Sequence, residues 1–84
     1  MNNLEHDRTG QWQMVESTNI EAIAFKWKIV DKGSLHIRFR KNGKHYVFQD
    51  VPTSVYNALM DSESVGKTFH EIVKNKYDFY IKGG

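Results

Sequence analysis

Six basic residues, Lys26, Lys28, Arg38, Arg40, Lys41 and Lys44, crowd one stretch of a chain of 84 residues. With Lys32 they make seven Lys and Arg between positions 26 and 45 against one acid, Asp31, although the whole chain carries a net charge of only +2. Guanidinium and ammonium groups gathered this way can contact phosphates, and counterion release makes such contacts sensitive to salt. The same residues also serve to keep the wet side of an antiparallel sheet hydrated. A second group, Ser64, Gly66, Lys67 and Thr68, stands where a helix is expected to begin. Free N–H groups at a helix N-terminus attract anions, and two hydroxyls and a lysine would add to that attraction. Gly66-Lys67-Thr68 is similar to the end of a Walker loop, but the upstream glycine and the preceding strand are missing. A plain helix cap, with Gly66 allowing close packing, is the competing reading.

Other chemistries find no residues to carry them. The chain has no cysteine, which removes disulfides, thiolate metal sites and cysteine nucleophiles together. Its four histidines, His6, His36, His45 and His70, show no i, i+4 pair, so no metal site is expected. The acids are scattered, and no grouping of histidine, acid and serine can be assembled from them. The expectation is a protein without catalytic residues, cofactor or metal. No apolar run approaches the roughly 20 residues of a membrane helix, and the N-terminus lacks the basic-then-apolar order of a secretory signal. Together with the missing cysteines this points to the cytoplasm.

The elements that would position these residues follow from periodicity. Residues 1–13 are polar and without period, which predicts a flexible arm ahead of a single domain over 14–82, with Trp12 and Met14 touching the body. From Ile20 to Val30, Ile23, Phe25, Trp27 and Ile29 alternate with Ala22, Ala24, Lys26 and Lys28, the pattern of a strand with one apolar face. Asp31-Lys32-Gly33 suits a three-residue hairpin loop with Gly33 in the left-handed conformation. Leu35, Ile37 and Phe39 mark a second strand, Asn42-Gly43 a two-residue type I′ turn, and Tyr46 and Phe48 a third strand. These turns predict Ile37 opposite Phe48, Phe39 opposite Tyr46 and Phe25 opposite Phe39. They set His36 against Gln49 and His45 against Arg40, which leaves the basic side chains on the outward face without aromatic neighbours.

After Val51 the period becomes helical. Pro52 suits a first turn, and Val55, Tyr56, Leu59 and Met60 form a stripe. Ser64 is placed to cap a second helix that carries Phe69, Ile72 and Val73 inward and ends near Lys76; Thr68-x-x-Glu71 offers a later start. Tyr77, Phe79 and Ile81 alternate again, which fits a short final strand or a packed tail. Phe25, Trp27, Phe39, Tyr46, Phe48, Tyr56 and Phe69 are read as core. The expected fold is α+β: a three-stranded antiparallel meander covered on one face by two short helices, in the order β-β-β-α-α.

In this order of parts the chain resembles the KTSC domain, a module found at the C-terminus of some lysyl-tRNA synthetases and as free-standing bacterial and phage proteins. The likeness runs from about Val15 to Tyr77. It rests on Ser17-Thr18-x-Ile20, Leu35-x-Ile37-x-Phe39, Gly43, Tyr46-x-Phe48, Val51-Pro52, Val55-Tyr56-x-x-Leu59 and Ser64-x-Gly66-x-x-Phe69, with Ile72 and Tyr77 behind them. Ala24-Phe25, Ser62 and His70 depart from the family's Gly-Tyr, Ala and Asn. The resemblance implies no enzymatic activity, and its synthetase association favours a nucleic-acid partner by analogy. The resulting expectation is a non-enzymatic module contacting RNA or DNA through Lys26, Lys28, Arg38, Arg40, Lys41 and Lys44. The alternatives are a module that binds a host or synthetase protein, and an anion or nucleotide binder at Ser64, Gly66, Lys67 and Thr68.

Overall fold

Alternation of apolar and polar residues builds one antiparallel sheet, and a computed structural model describes residues 12–82 of it. Five strands lie side by side in chain order: β1 (Gln13–Met14), β2 (Ile20–Ile29), β3 (Lys32–Phe39), β4 (His45–Pro52) and β5 (Phe79–Lys82). Two helices, α1 (Thr53–Asp61) and α2 (Val65–Ile72), fall between β4 and β5. The architecture is α+β, as expected. The meander of β2 to β4 gains a strand on each edge, β1 ahead of it and β5 behind it. The arm expected over residues 1–13 lies outside the described residues as far as position 11. Gln13 already pairs with Ile23 at the sheet edge.

One face of the sheet and the two helices enclose the core. Ile20, Ile23, Phe25, Leu35, Ile37, Phe48 and Val51 point inward from the strands and meet Leu59 of α1 and Val65 and Phe69 of α2, with Val73 just beyond. Burying an aliphatic or aromatic side chain of this size stabilises the fold by about 1.5–3 kcal/mol each. Phe39, Tyr46 and Tyr56 pack around this centre, whereas Trp27 is 39% exposed and spans from Phe25 to Thr53, to whose hydroxyl its indole N–H donates at 3.0 Å. Pro52, with φ −65°, ends β4 and precedes the first residue of α1, whose N–H donates to Asp31 O across the sheet at 2.9 Å. Ser64 is the N-cap of α2, so the later start at Thr68 does not occur, and the helix stops at Ile72 rather than near Lys76. Asn75 at φ +67° then reverses the chain, with Lys74 N–H donating to Phe69 O.

The hairpins differ from expectation in register. Ile37 pairs with Tyr46 and Leu35 with Phe48, two residues away from the expected alignment. Phe25 pairs with Leu35 and Ile23 with Ile37, four residues away. The β2–β3 turn is made by Val30 and Asp31, and Lys28 is accommodated by a bulge. Gly33 therefore does not adopt a left-handed conformation. It is buried where β2 and β3 come close: a Cβ there would stand 2.3 Å from Lys26 O and 2.9 Å from Trp27 Cα. Nor is Asn42-Gly43 a two-residue type I′ turn. Only Gly43 has positive φ, +70°, in a longer loop closed by Gly43 N–H donating to Phe39 O and Phe39 N–H donating to Lys44 O.

Candidate functional site

Cross-strand pairing fixes what the outward face presents. One row runs Met14, Ala22, Arg38, His45, Lys82 from β1 to β5, and the next runs Ala24, His36, Val47, Tyr80. Lys26 lies opposite Ser34 beyond them. These rows hold three cations, Lys26, Arg38 and Lys82, and no carboxylate. Ala22, Ala24 and Val47 are almost fully buried although they face away from the core. Aromatic rings surround them: Trp12, just before β1, packs edge-on against His45 at 4.8 Å and His36 at 6.2 Å between ring centroids. The Arg38 guanidinium lies 4.4 Å from the Trp12 ring centre, the geometry of a cation–π contact. Tyr80 is about half exposed.

The two-residue displacement in the β3–β4 register has a direct chemical result. His36 and His45, expected apart, form a hydrogen bond of 2.7 Å between Nδ1 and Nε2. Burial foremost, together with His45, Lys82 and Lys26 repelling its proton, pushes His36 down from 6.5 to about 4. His45 is lowered by burial, then by Lys82 and Arg38. Both rings are thus neutral at pH 7, and both report a positive field on this face.

The six basic residues singled out from the sequence do not form one patch. Lys26 and Arg38 lie on the outward face. Lys28 pairs with Asp50 at 3.5 Å in an exposed contact. Arg40 turns to the segment before β2, where it donates to Ser17 O at 3.0 Å, Val15 O at 3.3 Å and Ile20 O at 3.4 Å. Lys44 is exposed at the hairpin, its N–H bonded to Asn42 Oδ1. Lys41 reaches the helix side of the molecule instead.

There a cleft of about 620 Å³ opens between the β3–β4 hairpin, β5 and α2. Its walls are rings: Phe39, Tyr46, Phe48, Phe69 and Phe79. Tyr46 stacks on Phe79 at 5.3 Å, and Phe39 meets Phe69 edge-on at 5.6 Å. Lys41, His70 and Lys74 stand among the lining residues with Asn19, Asn42 and Asn75. Tyr56 belongs to the other end of the sheet, stacked on Phe25 at 4.9 Å.

At the start of α2, Thr68 and Ser62 share a 2.6 Å hydrogen bond between hydroxyls, and Ser64 N–H donates to Ser62 Oγ. Gly66 lies against the segment before β2: a Cβ on it would be 3.2 Å from Ser17 Oγ. Lys67 is exposed. Of this group only Gly66 borders the cleft.

Sequence reasoning expected Trp12 to touch the body without placing it on the outward face, and it missed Tyr80 and Lys82 there and Lys74, Asn75 and Phe79 at the cleft. One signal was present: alanines at 22 and 24, on the polar side of β2, leave room for a bulky ring above them.

Among the described residues no helix is long and apolar enough to cross a membrane. A comparison with curated proteins found no match. The crystal structure of a KTSC domain protein from Yersinia pestis is similar to this one, with a TM-score of 0.78 and 29% sequence identity over 87% of this chain and 97% of that chain. The model of the KTSC domain matches residues 16–77, a span that includes the core strands, both helices and most of the cleft, and the chain belongs to the KTSC domain family.

Proposed function

We propose that this protein is a non-enzymatic binding module for single-stranded nucleic acid, RNA or DNA, held on the outward face of the sheet and acting in the cytoplasm. The observation that carries this reading is the content of the outward rows: Lys26, Arg38 and Lys82 without a carboxylate among them, beside Tyr80 and the Trp12 ring. Cations attract the backbone, and the exposed Tyr80 ring, beside the half-buried Trp12, offers a face for a base to stack on; single-strand readers combine the two. Burial first, and then the neighbouring cations, lowers both histidines of this face, and the cationic part supports a positive field there.

The test is fluorescence anisotropy with single-stranded RNA and DNA oligonucleotides at about 50 mM and about 200 mM salt. Binding should weaken with salt and should weaken further in a Lys26→Ala, Lys82→Ala variant. Arg40→Ala should retain affinity, since that side chain is bonded to the segment before β2. Absence of binding at the lower salt, or affinity unchanged in the double variant, overturns the reading.

A further inference from the structure

The cleft lies on the helix side of the sheet, out of reach of a strand lying along the outward rows, and it has its own chemistry. Its walls present aromatic faces and edges, and Phe79 on the edge strand is 51% exposed. Lys41 enters from the β3–β4 hairpin and Lys74 from the turn after α2, so two cations reach the same hollow from different elements. No carboxylate is among the described residues that line it. Both contributing turns are fixed by the backbone. Asn75 holds φ +67°, a conformation asparagine tolerates better than most residues, and Lys74 N–H is bonded to Phe69 O. Across the cleft, Asn42 Oδ1 accepts from Lys44 N–H at 2.9 Å, which leaves its amide N–H groups as donors. A volume of about 620 Å³ falls in the range of pockets that enclose a small organic ligand.

We propose that this cleft binds a free nucleoside phosphate, with the base against the exposed surfaces of the Tyr46, Phe79 and Phe39 rings and the phosphate between Lys41 and Lys74. Rings alone would accept any flat apolar molecule, and lysines alone any anion. Their combination in one hollow selects a ligand that is planar at one end and anionic at the other. Asparagine amides suit the mixed donors and acceptors of a base edge. This site does not depend on the strand-binding reading, and the two fail separately.

The experiment follows thermal unfolding of the full chain with ADP, AMP, adenosine and pyrophosphate as separate probes. Ligand bound to the folded state raises the midpoint, so ADP or AMP at about ten times its Kd should raise it by about 5 °C or more. Adenosine and pyrophosphate should each give a smaller rise. Lys41→Ala with Lys74→Ala, two exposed positions, should weaken ADP binding about tenfold or more and leave adenosine unaffected. Phe79→Ala should weaken ADP and adenosine together. Lys26→Ala with Lys82→Ala should change neither. No shift with millimolar ADP and AMP, a full shift from pyrophosphate alone, or a shift that survives the Lys41 and Lys74 substitutions overturns the proposal.

Discussion

At neutral pH the His36 and His45 rings share one hydrogen bond as neutral imidazoles, one donating and the other accepting. Protonation would make every ring nitrogen a donor and add charge beside Lys26, Arg38 and Lys82. Folded His36 titrates near 4, against 6.5 for an unperturbed ring. Between those values the unfolded chain binds the extra proton, so stability falls as pH falls. The contribution is complete above about pH 6.5 and exhausted near pH 4. The urea midpoint should decline across that window, and NMR should find His36 still neutral at pH 5. A flat midpoint with both rings charged at pH 5 would contradict the geometry. Arg40 acts at the same scale. Its guanidinium serves three carbonyl oxygens of residues 15, 17 and 20, so Arg40→Ala should cost about 1–2 kcal/mol in urea unfolding, the lower part of the range for charge-assisted hydrogen bonds because the site is exposed. Arg40→Lys should recover only part, since an ammonium cannot reach three acceptors spread as a fork reaches them.

Strands in this chain reveal their faces more readily than their partners. Alternation in β2, β3 and β4 marks the inward residues, and the register expected from the turns errs by two and by four residues. Both errors are even, and side chains alternate with period two, so Phe25, Leu35, Ile37 and Phe48 all still face the core. The turns were less legible because Asn-Gly and Asp-Lys-Gly suit several loop lengths, and the bulges at Lys28 and near Asp50 leave no mark in the hydrophobic pattern. The two glycines show the difference. Gly33 is required by strand contact, because a Cβ would press on backbone at 2.3 Å, and Gly33→Ala should cost about 2–3 kcal/mol by forcing β2 and β3 apart. Gly43 has open space around it and only its φ of +70° to protect, so Gly43→Ala should cost about 1 kcal/mol. Urea denaturation of the two variants decides the matter: equal costs, or a larger one at Gly43, would place the constraint in the turn rather than in the sheet.

Across the whole molecule the sheet separates two chemistries, and its edge strands complete both. The local basic excess between residues 26 and 45 is plain in the sequence, but pairing divides it: Lys26 and Arg38 go outward, Lys41 goes to the cleft, and Arg40 is spent on the segment before β2. The outward cations are completed by Lys82, which arrives from more than 35 positions away in sequence to sit beside His45. No local period announces such a neighbour; it follows only from β5 adding to the edge of β4. The salt dependence of nucleic-acid binding measures this partition. Each phosphate neutralised on a single strand contributes a slope of about −0.7 in log K against log salt. Alanine at Lys26, Arg38 and Lys82 together should therefore flatten the slope by about 2. Alanine at Lys41 and Lys74 should leave it unchanged, because those lysines face the cleft and the sheet stands between them and the strand. A slope that responds to Lys41 and Lys74 and ignores Lys26 and Lys82 would move the strand to the helix side and reverse the assignment of the two faces.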